Sequence, residues 1–175
     1  FGQTRPSVAG GAFESRTLAG EIHLTEAFLR RQSDSLYGTA GLEIVGQKLR
    51  FGNPPLSDDQ LRVLFIRLNH QAVDPASING SNGFTLGEPH WRSSVQLELR
   101  QGIDSLGASP DCNPLTDCLP PHVGISNFAA DPSAFVARLQ GTLEFRPAPH
   151  LTLALAPAMQ VSGSPLLSYE QISFG

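Results

Sequence analysis

The chain has 175 residues, of which 40% are apolar and 16% are charged, and its formal net charge is −4. This composition suits one domain with a substantial core and excludes a disordered chain. The 17 glycines and 14 prolines disfavour a mainly helical protein. Lys48 is the single lysine among 12 basic residues, so no basic stripe is available for a nucleic-acid backbone. We therefore expect neither a helix bundle nor a nucleic-acid partner.

The first residue is Phe1, and no secretory leader follows it, so we expect the chain to be a piece of a longer protein. The longest stretch without charged side chains, residues 147–169, contains four prolines. Each proline removes a backbone donor, which argues against a transmembrane helix. Transmembrane strands are compatible with the sequence because each needs only about ten residues of alternating character.

Alternation of apolar and polar residues predicts an antiparallel sheet of consecutive strands. The clearest segment begins at Phe135, where Leu139 and Leu143 fall on one face and Arg138 falls on the other. The predicted strands lie near residues 16–30, 35–51, 60–74, 91–105, 134–147 and 150–162. Residues 1–15 and 106–132 are predicted loops within a single partial domain over residues 1–175.

One of these segments, residues 56–74, fits two structures. Ser57 and Gln60 could form a capping box, and the leucines that follow recur at helical spacing. Strand alternation instead places Leu64, Ile66 and Leu68 on one face. The neighbouring segments are all strand-like, so we favour a strand.

Three stretches of the sequence are similar to one family of outer-membrane proteins. "SGSPLLSYEQISFG" resembles the approach to that family's signature loop, and "VQLELRQGIDSLGASP" resembles a strand that ends at a loop entry. "LTEAFLRRQSDSLYGTAGLE" resembles a strand-turn-strand unit with an arginine-bearing turn. Together they resemble the two-partner-secretion transporters, of the haemolysin-activator type, over residues 16–175. "LSDDQLRVLFIRLNH" then resembles a loop that enters a barrel strand, which again favours a strand there.

The resemblance implies an all-β fold, an antiparallel meander forming part of a transmembrane outer-membrane β-barrel. It implies the bacterial cell outer membrane as the location, outer-membrane lipid as the surroundings and a secreted polypeptide as the partner. Family members also carry a plug helix, periplasmic domains that bind the exported partner, and C-terminal barrel strands with a signature loop. None of these is expected in this chain, because the similarity stops at Gly175 where that loop would begin.

Charged side chains of two predicted strands should meet as cross-strand neighbours on one face. They are Glu98, Arg100, Arg138, Gln140, Glu144 and Arg146. Alternation alone allows this face to contact bulk water in a soluble sheet or to line a hydrated pore. The resemblance implies the pore, with these residues on the concave face. The convex face, which would contact lipid, would carry Val95, Leu97, Leu99, Phe135, Leu139 and Leu143.

No motif indicates an enzyme, a cofactor or a metal site. The sequence lacks a G-x-S-x-G nucleophile elbow, and Asp58 with Asp59 is expected to form a solvated loop entry. Five histidines are scattered without ligand spacing, His122 among them. Cys112 and Cys118 lie in a proline- and aspartate-rich stretch and are predicted to form a disulfide in a poorly ordered exterior loop, since the cell exterior is oxidising.

An alternative function shares the same sequence features. A soluble β-sandwich module of a secreted adhesin or carbohydrate-binding protein would also show alternation, long loops and a disulfide. An exposed apolar band about 25 Å tall, with aromatic side chains at its rims, would distinguish the membrane barrel from this module.

Overall fold

The computed structural model describes residues 2–4, 7–8, 11–52, 54–118 and 123–172. In these residues, nine antiparallel strands form one sheet. The strands are β1 (Gly2–Thr4), β2 (Ser7–Val8), β3 (Gly11–Arg30), β4 (Asp34–Phe51), β5 (Pro55–Val73), β6 (Trp91–Gly102), β7 (Phe135–Ala148), β8 (Leu151–Leu155) and β9 (Ala158–Ser162). The helical elements are α1 (Pro75–Ile78) and two 3₁₀ turns, Leu115–Cys118 and Ser168–Glu170. In the described part of the chain, no helix is long and apolar enough to cross a bilayer. The predicted all-β antiparallel fold is confirmed.

The sheet is a meander in which sequence neighbours pair. Its order is β1-β3-β4-β5-β6-β7-β8, with β2 also pairing with β3 and β9 also pairing with β7. Residues 56–73 form a strand, paired with β4 from Pro55 to Ala72, so the helical alternative for this segment is excluded. Leucine spacing alone suggested a helix there. The backbone groups of the strand are instead satisfied by β4, by β6 from Val63 to Val73, and by the chain after β6, which bonds to the backbone of Asp58, Gln60 and Arg62.

The N-terminal loop prediction is wrong over part of its length. Within residues 1–15 the structure has β1, β2 and the first residues of β3. The pairing of Gly2 with Thr17 and of Thr4 with Ser15 extends the sheet past β3. These strands were not predicted because two or three residues are too few to show a period-two pattern. Residues 1, 5, 6, 9 and 10 lie outside the described residues.

The expected solvated loop entry at Asp58 and Asp59 is also wrong. The chain reverses direction between β4 and β5, with Gly52 at a φ of 62° and Phe51 N–H donating to the Pro54 carbonyl. Both aspartates therefore lie inside β5. Asp59 is only 2% exposed, and one of its carboxylate oxygens accepts a 2.7 Å hydrogen bond from the Ser126 backbone N–H.

Two predicted strands differ from the structure in their bounds: one is divided in two, and the other ends earlier. The segment predicted over 150–162 is divided into β8 and β9, because Pro157 has no N–H to donate, although its carbonyl still accepts from Gly141 N–H at 3.0 Å. The strand predicted over 91–105 ends at Gly102. There the backbone of Pro132 and Ser133 passes so close that a Cβ on Gly102 would collide with it.

The two faces of the sheet differ in what covers them. We define the leucine face as the side carrying the exposed aliphatic residues of β3 to β9, including Leu24 (79% exposed), Ile66 (56%) and Leu97 (37%). In β4, the side chains on the leucine face are all uncharged from Leu36 to Gly46, and this stretch of strand is about 33 Å long. Most of this face is exposed in the described residues, with contacts only at its ends, where Leu106 accepts a hydrogen bond from Arg62 and the His90 ring contacts the Phe145 ring.

The opposite side, which we define as the covered face, carries the core. Two segments fold back over it: the long connection between β6 and β7, described over residues 103–118 and 123–134, and the terminal segment, residues 163–172. Leu167 packs there with Val45, Leu61 and Val63, and Leu166 packs with Val136. The core therefore lies between one face of a single sheet and the returning chain, and the leucines predicted to contact lipid do not contribute to it.

Aromatic side chains stand at the rims of the leucine face. Trp91 and Phe145 are directly opposite each other at the end of the sheet that holds the 31–33 turn. Phe135 is 50% exposed at the other end. The described strands form a single sheet, which differs from the closed two-sheet core of a β-sandwich.

Candidate functional site

Charged side chains from four strands and the terminal segment meet on the covered face. We call them the arginine–glutamate cluster: Glu43, Arg67, Glu98, Arg100, Arg138 and Glu170. Strand register creates it, because Arg67 lies opposite Glu98 and Glu98 lies opposite Arg138. Side chains of directly opposite residues are neighbours on the same face, so opposite charges alternate along this row.

Arg100 is the centre of the cluster. Its side chain is 4% exposed, and its guanidinium donates to both carboxylate oxygens of Glu170, at 3.1 and 2.6 Å. It also donates to Glu43 at 2.7 Å and to Glu98 at 3.3 Å. A guanidinium presents five donors in a fixed plane, which suits binding to several carboxylates at once.

The other two arginines complete the network. Arg138 donates to the backbone carbonyl of Glu170 at 2.6 Å and to its carboxylate at 3.0 Å. Arg67 donates to Glu98 at 2.6 Å and lies over the Phe65 ring, 4.8 Å from the ring centroid. Three arginines face three glutamates, so the cluster is balanced in charge even where it is buried.

These contacts hold the terminal segment against the sheet. Glu170 is 5% exposed and reaches Arg100 and Arg138, which lie on neighbouring strands. The amide of Gln160 adds a donor to the Glu170 carbonyl at 2.9 Å and accepts from Ile172 N–H at 3.0 Å. The segment is thus fixed by ion pairs in addition to the packing of Leu166 and Leu167.

Tyr169 links the terminal segment to β4. Its hydroxyl donates to the Glu43 carboxylate at 3.0 Å. Burial raises the pKa of the Tyr169 phenol above its ordinary value, and the nearby Glu43 carboxylate raises it further, because both disfavour a phenolate. The phenol therefore stays protonated as a donor near neutral pH.

A polar groove of about 390 Å³ continues from the cluster along the covered face. Gln96 and Gln140, which are directly opposite each other, line it beyond Tyr169. Amide side chains can donate to and accept from a peptide backbone without fixing a sequence. In the described residues, no group of three or more histidine, cysteine, aspartate or glutamate side chains is placed to hold a metal ion.

The structure places all six predicted pore residues on the covered face but separates them into two groups. Glu98, Arg100 and Arg138 belong to the cluster, and Gln140 lines the groove. Glu144 is instead bound by Arg92, with a shortest contact of 2.7 Å, and Arg146 donates to the Pro89 carbonyl at 3.1 Å.

Three members of the cluster were missed by sequence reasoning. Glu43 and Arg67 occupy polar positions in strands with an alternating pattern. Knowledge of the register between β4, β5 and β6 would therefore have placed them beside Glu98 and Arg100. Glu170 lies in an irregular segment where no period exists. The residues beyond it in the quoted C-terminal motif, 173–175, lie outside the described residues, as does His122.

The disulfide fixes part of the long connection. Cys112 and Cys118 are bonded with an S–S distance of 2.02 Å, and they are only 8% and 4% exposed. Both pack with Val45 and Leu61, so the predicted exposed, poorly ordered loop is wrong at these positions. Ser109 adds two hydrogen bonds between the connection and the β5 backbone.

Comparison with known proteins gives one structural likeness. No family model matches the chain, and no curated protein matches its sequence. The solved structure of CdiB from Escherichia coli matches with a TM-score of 0.71 at 14% identity, over 99% of this chain and 28% of that chain. The chain has the fold of part of CdiB. It spans well under a third of the CdiB chain, and at this identity the likeness concerns the fold alone.

Proposed function

We propose that the chain is the central part of a bacterial outer-membrane β-barrel that secretes a partner polypeptide. The observation that carries the proposal is the inverted sheet, whose aliphatic face is bare and whose opposite face is charged and covered. Burial of apolar surface is favourable by about 25 cal/mol per Å², so an aliphatic face this large requires an apolar environment. Lipid supplies that environment, and further strands would pair with the edges of the sheet.

The covered face then lines the interior of the barrel. The polar groove beside Gln96 and Gln140 offers amides to an extended polypeptide, and the arginine–glutamate cluster holds the terminal segment inside. The end of the sheet with the long connection faces the cell exterior, because outer-membrane barrels have short periplasmic turns and longer extracellular loops, and its disulfide is compatible with that compartment.

Two independent observations support this function. Three stretches of the sequence resemble the two-partner-secretion transporters, and the fold matches part of CdiB over 99% of this chain. The partner polypeptide, the outer-membrane location and contact with outer-membrane lipid are parts of the proposal.

Site-directed labelling of the complete protein in bacterial outer membranes tests it. Single cysteines replace Leu97 on the leucine face and Gln140 in the groove, and a membrane-impermeant maleimide is added. We expect Gln140→Cys to be labelled and Leu97→Cys to be protected. A photo-crosslinker at position 140 should also capture a secreted polypeptide stalled in transit by a fused folded domain.

Leu99→Cys is a matched second position on the leucine face, since Leu97 and Leu99 are both 37% exposed in the sheet. Efficient aqueous labelling of both positions would contradict a lipid-facing sheet. Protection at both without crosslinking at position 140 would leave the barrel intact and contradict the secretion pathway.

A further inference from the structure

Four basic side chains stand together on the leucine face where its apolar positions end. Register places Arg50 opposite Glu14, and Arg16 opposite Lys48. Lys48 lies opposite Asp58, and Arg62 lies four residues after Asp58 on the same face of β5. All of them lie toward the end of the sheet with the long connection, beyond Ile22 and Leu64.

This basic group borders an apolar groove of about 680 Å³ between β3 and β4. Leu18 and Ile22, which are 53% and 73% exposed, form one wall, and Ile44 contributes to the other. Gly20 leaves the middle shallow, and a Cβ on it would meet nothing within 4 Å, whereas the Gln60 side chain lies over Gly46. The open apolar surface of the groove therefore runs over Gly20, beside Leu18 and Ile22.

Like charges meet at the end of the groove. Arg16 and Lys48 are directly opposite on one face, an arrangement that is destabilising for like charges. Asp58 binds Lys48 at 2.8 Å, and register places Glu14 opposite Arg50. The side chain of Lys48 is 52% exposed, which leaves it accessible to a ligand.

We propose that this groove binds a phosphate-bearing membrane lipid. An acyl chain lies over Gly20, beside Leu18 and Ile22, and the phosphate lies between Arg16, Lys48 and Arg50. Arginine and lysine are the usual protein ligands of phosphate, and basic clusters at the rim of an apolar surface recognise anionic lipid headgroups. Long basic side chains at this depth also extend toward the headgroup layer. The inference rests on the proposed function, since it requires the leucine face to contact lipid.

In the proposed orientation the basic group lies in the outer leaflet. The ligand is therefore a phosphorylated glycolipid of that leaflet, bound through its phosphate. Arg62 is less available than the other three, because its guanidinium donates to the carbonyls of Leu61, Val45 and Leu106.

Native mass spectrometry of the complete protein, purified in detergent and titrated with diphosphorylated lipid A, tests the inference. We expect a bound lipid A whose affinity falls at least tenfold in the Arg16→Gln/Lys48→Gln/Arg50→Gln variant. The matched control is Arg30→Gln/Arg31→Gln, which removes basic charges at the opposite end of the sheet and should retain the affinity. Dephosphorylated lipid A and phosphatidylcholine should bind at least tenfold more weakly than lipid A.

Equal affinity in the triple variant and the wild type would overturn the inference, as would an equal loss in the control variant. Competition by millimolar inorganic phosphate alone, without a contribution from the acyl chains, would show an anion site and also overturn it. Labelling of the Leu97→Cys variant separates the two proposals. If Leu97→Cys is protected but the triple variant binds lipid A as the wild type does, only the lipid site is contradicted. If Leu97→Cys is labelled from water, the membrane barrel itself is contradicted.

Discussion

At the scale of single residues, the burial of a charge decides what its ion pair contributes. Arg100 binds three glutamates while its side chain is 4% exposed, whereas Arg92 binds Glu144 with its side chain 51% exposed. Removal of a buried partner leaves uncompensated charges and costs about 3–5 kcal/mol, whereas an exposed pair contributes about 0–1 kcal/mol.

We therefore expect Arg100→Ala to destabilise the complete protein by about 3–5 kcal/mol, and Arg92→Ala by no more than about 1 kcal/mol. Urea unfolding of the complete protein in detergent measures both. Equal losses in the two variants would show that the cluster is not a buried network.

Tyr169 gives a pH-dependent prediction. Its raised pKa means that the folded protein prefers the protonated phenol, so this contribution to stability is fully present below the unfolded pKa of about 10. It is lost as the pH rises through the higher folded value. The difference in phenolate absorbance between wild type and Tyr169→Phe should therefore titrate with a midpoint above about 10.

The Glu43→Gln variant controls for the cause of this shift. It removes the carboxylate charge beside the phenol but leaves the terminal segment in place, so the midpoint for Tyr169 should move down toward about 10. A wild-type midpoint at or below that value would contradict the partial burial of Tyr169 and its hydrogen bond to Glu43.

At the scale of elements, close backbone approach ends β6. A Cβ on Gly102 would collide with the backbone of Pro132 and Ser133, whereas one on Gly20 in β3 would meet nothing within 4 Å. We expect Gly102→Ala to cost about 1–3 kcal/mol by overpacking and to loosen the long connection. Gly20→Ala should leave stability unchanged or slightly raised, and urea unfolding with limited proteolysis of residues 103–134 compares the two.

The disulfide acts on the same element. The bridge between Cys112 and Cys118 closes a loop with a sequence separation of 6, for which chain entropy predicts a stabilisation of about 2 kcal/mol. Replacement of both cysteines by alanine should lower stability by that amount. Maleimide labelling after denaturation without reductant should find neither thiol reactive, and labelling of both would contradict the bridge.

Alternation predicted the strands well where one face contacts the core and the other does not. Residues 135–148 and 91–102 are examples, because each side chain's environment changes with period two. Alternation could not place Glu170, which lies in an irregular segment bound by three strands, nor Asp59, whose burial depends on Ser126, far away in sequence. It also could not detect β1 and β2, which contain only three and two residues.

At the scale of the whole molecule, the same alternation fits a soluble sandwich and a membrane sheet. Only the location of the core distinguishes them, and the core depends on which face the long connection and the terminal segment cover. Those segments have no periodic pattern, so their position could not be predicted from the sequence. Their packing on the charged face leaves the leucine face bare and gives the inverted sheet.

The open edges of that sheet lead to the final prediction. The strand order runs through seven positions, and β1 pairs with β3 only from Ser15 to Thr17, so most of β3 is an edge in the described structure. The smallest single-chain membrane barrels need about eight strands, and each unpaired backbone group in hydrocarbon costs several kcal/mol.

We therefore expect the 175-residue chain alone to form no pore and to aggregate in water through its edges and its leucine face. Conductance recordings in planar lipid bilayers compare the isolated chain with the complete protein at equal molar amounts. The complete protein should give stable unitary conductance steps, and the isolated chain should give none.

The same recordings test the groove. A Gln140→Glu variant of the complete protein adds a charge in the groove and should change the cation preference of the steps. Thr25→Glu, on the outermost long strand, should change it less.

Stable steps from a monomer of the isolated chain would contradict the first of these predictions. They would show that the sheet closes by itself, since only a closed sheet satisfies its edge groups in lipid.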